Sequence, residues 1–426
     1  MKTKALIITY YWPPSGGPGV QRWLKLSNYL LENNIKPVIY TPSNPKYPFL
    51  DNSLLNDINP EIEVIKKPIF EPFSFLNNKR VDRIRKGGIP KNKDQSLFDK
   101  FLIYLRGNLL IPDSRIFWVK PSVNFLSKYV LKKDVDIIIT TGPPHSLHLI
   151  GLYLKSKLNI TWFADFRDPW TGINYHNKLK LNLYSKNKHL KLEKKVLNSC
   201  DRIIVTSNKL LNEYSKITRK PVSLITNGFD FIKKETTLDN KFSITHIGSL
   251  LTERNPKILW KALRKIALKG KNLKNDLVIN FIGEVSSNIK EDIKNNCLEK
   301  NAVYHNYIEY NDTIPNLLKS QILLLIEADN DESSFVIPAK IFEYINSSRP
   351  IIAIGPKDSE IKQIINKTKS GKYFLYDEYE KLLKYIEDSY QLYKIKKLKI
   401  KPINIDQYHR KNLAKKLSDL ILRETD

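Results

Sequence analysis

Short runs of consecutive apolar residues, each closed by proline, glycine or charge, recur along this chain and alternate with stretches whose apolar residues fall at helical spacing. Such runs fit strands buried on both faces, which is how parallel sheets read in sequence. Ile322 to Ile326 and Ile351 to Ile354 are two of them, and SSFVIPAKIFEYINSSRP, from Ser333 to Pro350, lies between. Pro338 suits the first turn of a helix, where its missing N–H costs nothing. Lys340 and Glu343 then share one face, at an end where backbone N–H groups attract anions. A cation, a carboxylate and a helix N-terminus at the carboxyl end of a strand can grip a nucleotide, cation on phosphate and carboxylate on ribose. A surface Lys–Glu pair on an ordinary helix fits the stretch equally well.

At 426 residues the chain can hold two domains with separate cores. With 41% hydrophobic and 11% aromatic residues it reads as globular. Cys200 and Cys297 are too few and too distant for a disulfide framework or a metal knuckle, and fit a reducing compartment. The opening MKTKALIITYYWPP has a short apolar run and no small-residue cleavage site, so it reads as a first strand. No stretch approaches the roughly 20 apolar residues of a spanning helix. The net charge of +27 suits an anionic partner: nucleic acid, an anionic membrane surface or a phosphorylated substrate. Part of it reflects a Lys-, Asn- and Ile-rich bias along the whole chain.

Taken in order, Lys4 to Tyr11 reads as a strand and Val20 to Leu31 as a helix. PPSGGPGVQR lies between them; Gly16, Gly17 and Gly19 would let backbone approach a phosphate, although a tight strand–helix turn also fits. Residues 44–120 read as irregular, with basic residues (Lys79, Arg80, Arg83, Arg85, Lys86) ahead of apolar and aromatic ones, as in a segment that lies on anionic lipid or in a solvated insertion. Val135 to Thr140 and Ile160 to Ala164 are expected strands. The second runs into DFRDPW, where Asp165, Arg167 and Asp168 form a polar knot, with Arg167 bridging the two carboxylates and Asp168 facing a ligand. His145 and His148 lack a third ligand, so no metal is expected. Lys178 to Lys195 is a Lys-rich helix, Arg202 to Thr206 a strand, and Asn227-Gly228 a turn that closes the first domain.

The second domain repeats the rhythm: strands at Phe242 to Ile247, Leu277 to Ile282 and Ala302 to Ile308, then a helix from Asp312 to Ser320. Gly248, Ser249 and Arg254 fall in the loop after its first strand, where an open parallel sheet places ligand groups. Tyr379 to Ile395 and Asp406 to Leu422 are amphipathic helices, the last returning to the first domain. The expected division is 1–230, 231–405 and a C-terminal helix, 406–426.

In their order, PPSGGPGVQR, ITNGFD, HIGSLLTERNP and PAKIFEY followed by RPIIAI resemble a family-four glycosyltransferase, and TGPPHSLHL and ADFRDPW resemble a bacterial subset that builds surface polysaccharides. The resemblance implies an α/β fold of the GT-B type, two Rossmann-like doubly wound domains facing a cleft, and a cytoplasmic enzyme, peripheral on the inner face of a membrane. It implies retaining, metal-independent transfer of a sugar from a nucleoside diphosphate sugar to a glycan or lipid-linked acceptor, with no cofactor. Gly16, Gly17, Gly248, Ser249, Arg254, Lys340 and Glu343 would then bind the donor. Arg254, Lys340 and Asp168 would serve catalysis, and His145, Asp165 and Arg167 the acceptor side. Two positions depart from the family pattern: Phe335 stands where the first glutamate of a paired-glutamate motif is expected, and Ser249 where many members carry arginine. A sugar-nucleotide epimerase of the same fold and a basic nucleic-acid-binding protein are the alternatives. The first needs several carboxylates and a histidine in the cleft; the second needs basic residues interleaved with exposed aromatics.

Overall fold

The computed structural model describes residues 2–72, 97–172, 179–231, 236–269, 275–306, 308–330 and 334–425. The chain divides into two compact units, Met1–Thr226 with Arg410–Asp426, and Asn227–His409. The expected breaks were after residues 230 and 405.

In the first unit a seven-stranded sheet runs β3-β2-β1-β4-β5-β6-β7. Its strands are β1 (Thr3–Ile8), β2 (Ile35–Pro42), β3 (Glu63–Lys67), β4 (Ile137–Gly142), β5 (Thr161–Phe166), β6 (Arg202–Val205) and β7 (Val222–Leu224). All pairings are parallel. The apolar runs are buried because helices cover both faces, leaving no solvated side that would demand alternation. Strand order reverses between β1 and β4, which opens a crevice at their carboxyl ends. Residues 44–120, expected to be irregular, contain β3 and the helix Leu97–Asn108, and the helix Ile116–Lys133 begins there. Trp118 on that last helix stacks on Tyr40 of β2, with ring centroids 4.9 Å apart. The basic cluster from Lys79 to Lys86 lies outside the described residues. The Lys-rich helix spans Leu183–Ser199.

The C-terminal helix, Arg410–Thr425, belongs to this first unit. Leu413, Leu417 and Ile421, at four-residue spacing, are buried. Lys411 pairs with Glu32 at 2.9 Å, Lys416 donates to the Leu224 carbonyl at 3.0 Å, and Glu424 meets Arg202 at 2.5 Å.

A six-stranded parallel sheet organises the second unit, in the order β10-β9-β8-β11-β12-β13. Its strands are β8 (Phe242–Ile247), β9 (Leu277–Ile282), β10 (Ala302–His305), β11 (Ile322–Ile326), β12 (Ile351–Gly355) and β13 (Gly371–Leu375). Here the order reverses between β8 and β11, which pair Ile322 with Ile244. The helix after β11 starts at Lys340, not at Pro338, and is seven residues long. Pro338 stands just before it, its carbonyl accepting from the Ile341 N–H at 3.1 Å. With so short a helix, side chains and not a helix terminus must supply most of any positive field here.

Candidate active site

The reversal point of the second sheet gathers five residues expected from sequence and two that were not. β8 ends on His246 and Ile247, and Gly248 turns the chain away with φ +102°, a conformation that favours glycine. A side chain at Gly248 would meet the Lys340 ammonium at 3.1 Å. Gly283, after β9, packs its own Cα face onto the Gly248 backbone, where an added Cβ would lie 2.9 Å from the Gly248 carbonyl carbon. Ser249 is exposed beside this turn.

The Lys340 ammonium donates to the Ile247 carbonyl at 2.7 Å and lies 3.4 Å from His246 Nε2. His246 Nδ1 sits 2.9 Å from the Leu324 carbonyl, an oxygen that can only accept, so Nδ1 carries the proton. Burial, then the positive charges of Lys340 and Arg254, hold His246 well below the usual imidazole range, so the ring is neutral and its Nε2 lone pair receives Lys340. Lys340 is therefore held by two uncharged acceptors. Burial and the neighbouring Arg254 guanidinium bring its pKa down to about 7, against a partial offset from Glu343. Arg254 ends a short 3₁₀ turn, Thr252–Arg254, and among the described residues its side chain makes no hydrogen bond or ion pair. Glu343 lies one helical turn beyond Lys340.

His246 and Glu327 are the additions. Glu327 follows β11 directly and is 3% exposed. Its Oε2 accepts from the Ser359 hydroxyl at 2.6 Å and from the Tyr373 hydroxyl at 2.8 Å. Burial raises its pKa to about 7, those two bonds and Arg254 pulling the other way. Gly355 leaves room for it, since a Cβ there would meet Glu327 Oε2 at 2.6 Å. A single glutamate after an apolar run carries no sequence signal of burial; His246, inside a strand, reads as an ordinary core residue.

The first unit sorts its expected residues differently. Asp165 is fully buried and serves the core: Arg22 grips both oxygens, at 2.8 and 3.2 Å, while Trp23 and Thr141 donate at 2.8 and 2.9 Å. Those contacts hold its carboxyl below the ordinary range against the cost of burial. The expected bridge by Arg167 is thus replaced by Arg22, and Asp165 has no face for an acceptor. Among the described residues Arg167 pairs only with Asp168, at 3.4 Å, over the Tyr11 ring, and both stay partly exposed. Gly19 makes room for that guanidinium, because a Cβ there would lie 2.4 Å from Arg167 Nη1. Gly16 is also otherwise engaged, its N–H bonding the Phe49 carbonyl at 2.9 Å. Gly17, at φ +90° with no atom within 4 Å of an added Cβ, is the open glycine of the loop.

His145 stacks flat on Trp170, with centroids 5.1 Å apart, and is nearly buried. Behind it His148 is fully buried, bonded through Nδ1 to Thr140 Oγ1 at 2.9 Å, and pushed down to about 3 by burial. The two imidazoles build the wall of the turn after β4, where Gly142 must be glycine: a Cβ would meet His148 Nε2 at 2.6 Å and His145 Nδ1 at 2.8 Å. Among the described residues no group of three or more His, Cys, Asp or Glu could hold a metal ion.

A family model described as Glycosyltransferase Family 4 matches residues 19–231. The chain belongs to that family. No curated protein sequence matches the chain. Among solved structures, the sucrose-phosphate synthase of Thermosynechococcus elongatus superposes with a TM-score of 0.61 at 12% identity, covering 99% of this chain and 94% of that one. The lipopolysaccharide outer core galactosyltransferase WaaB gives 0.58 at 12% identity, covering 99% and 100%. Anabaena Alr3699/HepE, solved in complex with UDP, gives 0.58 at 11% identity, covering 99% and 97%. The fold is therefore GT-B, and the protein is a glycosyltransferase. Among the described residues no helix is long and apolar enough to cross a membrane.

Proposed function

We propose that this glycosyltransferase takes a sugar from a nucleoside diphosphate donor and transfers it with retention, without a metal ion or other cofactor, to a glycan or lipid-linked acceptor. Its setting would be surface-polysaccharide assembly at the cytoplasmic face of a membrane. One observation carries the donor assignment. At the carboxyl ends of β8 and β11 stand two cations, Lys340 and Arg254, neither in a salt bridge with a described residue, and one is held only by neutral acceptors. Placing like charges together in a shielded crevice costs free energy unless an anion joins them. The UDP bound in Anabaena HepE supports the same ligand class.

The chemistry follows from those charges. As the anomeric C–O bond breaks, its electron pair moves onto the diphosphate oxygen, and Lys340 and Arg254 take up the growing charge. That oxygen accepts the proton of the acceptor hydroxyl while the acceptor oxygen bonds the anomeric carbon on the same face, so no strong protein base is required. Glu343 would hold ribose hydroxyls, and Gly248 and Ser249 would let backbone come close to the donor. In the first unit Asp168 and Arg167, a partly exposed charged pair, would meet an acceptor, with His145 in the wall beside them.

The test is thermal shift with uridine and guanosine diphosphates. Binding raises apparent stability by mass action. Arg254→Ala should unfold at the wild-type temperature without nucleotide and lose the shift with it, and turnover should fall roughly 10²–10³-fold. An unchanged shift in both Arg254→Ala and Lys340→Ala would place the donor elsewhere.

A further inference from the structure

Five large apolar side chains of the first unit stand exposed on two adjoining segments. Leu183 is 80% exposed, Tyr184 71%, Leu109 68%, Phe101 56% and Tyr104 44%. They come from two segments tied together by hydrogen bonds. Asn182 donates its N–H to Asn108 Oδ1 at 2.8 Å and its side-chain amide to the Tyr104 hydroxyl at 3.4 Å. Asn108 in turn donates to the Lys180 carbonyl at 3.3 Å, and Ser185 Oγ to the Asn108 carbonyl at 3.4 Å. Phe101 and Tyr104 share a face of the helix Leu97–Asn108, while Leu102 and Ile103 between them point inward. Scattered exposed apolar residues are ordinary; five large ones on two segments held together by hydrogen bonds form a patch.

The rim is cationic. Between residues 179 and 199 six lysines are exposed: Lys180, Lys186, Lys188, Lys191, Lys194 and Lys195. The one acidic side chain there, Glu193, is buried, where it accepts from Thr171 and from the Tyr214 hydroxyl. Leu183 and Leu190, seven residues apart, mark an outward stripe of the helix Leu183–Ser199, while Ser185, His189 and Val196 face in. We propose that this face docks the enzyme on a lipid bilayer bearing anionic headgroups, with Leu183, Tyr184 and Phe101 inserted among the acyl chains and the lysines meeting the headgroups.

The mixture selects the partner. Nucleic acid would use the lysines but gain little from the exposed leucines and phenylalanine. Protein interfaces are depleted in lysine. An amphipathic surface with aromatic and aliphatic side chains inside a lysine rim is what an anionic interface binds, and long lysine stems can lie along the apolar boundary while their heads stay wet. This deepens the membrane setting proposed above, and it stands apart from the donor chemistry, which resides in the other unit.

Co-sedimentation of the full chain with vesicles tests it. The wild type should pellet with phosphatidylcholine vesicles containing phosphatidylglycerol and stay largely soluble with phosphatidylcholine alone. Removing one lysine should lower partitioning roughly fivefold, and the charge reversals Lys186→Glu with Lys188→Glu should lower it further. Leu183→Ser with Tyr184→Ser should lower it roughly tenfold or more. Both pairs are surface changes, so the thermal shift with uridine diphosphate should match wild type; its absence in every variant and wild type alike would count against the donor reading only. The docking proposal is overturned if wild type ignores anionic vesicles, if it binds neutral ones equally, or if both double variants bind like wild type. It is also overturned if sedimentation velocity shows a dimer that Leu183→Ser with Tyr184→Ser dissolves, since a second copy would then be the occupant.

Discussion

Nucleoside diphosphate affinity should fall steeply above neutral pH, with Lys340 setting the slope. Burial and the Arg254 charge bring the Lys340 pKa to about 7, so the free protein is poised to lose that proton just where most assays are run. A diphosphate beside the ammonium favours the charged form and raises its pKa again. Binding therefore takes up a proton between the free and the bound pKa, and affinity must drop as pH rises through that window. Half of the free protein carries the charge at pH 7 and about 3% at pH 8.5, which predicts an affinity loss of about 16-fold. Terminal phosphates, with a second pKa near 6, stay ionised over that range and add little. Calorimetric titration with uridine diphosphate in buffers of different ionisation enthalpy measures both the affinity and the proton uptake. Lys340→Arg keeps a permanent cation and should flatten the profile. Glu327, pushed up to about 7 by burial, ionises over the same window and would also repel the ligand, so Glu327→Gln isolates the lysine's share. A flat wild-type profile between pH 7 and 8.5, or a Lys340→Arg profile as steep as wild type, would refute the reasoning.

Two further outcomes follow from the geometry. Asp165→Asn leaves Arg22 charged and unmatched in the core and should cost about 3–5 kcal/mol in urea unfolding, whereas Arg167→Ala, which breaks only a partly exposed pair at 3.4 Å, should cost no more than about 1 kcal/mol. Gly248→Ala forces a side chain into φ +102° and toward the Lys340 ammonium, so it should lower stability by about 1–3 kcal/mol and weaken uridine diphosphate binding as well; Gly17→Ala, equally left-handed but open, should show the stability loss alone by the same two assays.

Elements whose burial is decided locally are legible in the chain. Phe242–Ile247, Leu277–Ile282 and Ile322–Ile326 are strands with the bounds their apolar runs suggest, because central parallel strands are buried on both faces. β2 hides behind Pro37 and Pro42, and β3, an edge strand reading EVIKK, behind its charges. Spacing alone puts Lys340 and Glu343 on one helical face and leaves a nucleotide grip and a surface pair equally open. Asp165 could not be assigned that way, since its partner Arg22 is 143 residues distant. Glu327 is stabilised by Ser359 and Tyr373, 32 and 46 residues further on. Gly16 and Gly17 are neighbours of identical chemistry, told apart by the Phe49 carbonyl that takes the Gly16 N–H and by the φ of +90° at Gly17. Each of these is a choice made by long-range contact.

Because residues 410–425 complete the first unit, the second is an insertion within it, entered after Thr226 and left after His409. A stop codon at the obvious place, behind the last strand and helix of the second unit, would spare every donor-binding side chain yet strip the other half of Leu413, Leu417 and Ile421. Residues 227–409 can be excised as one uninterrupted piece. The complementary fragment can be made only by splicing two distant ends together.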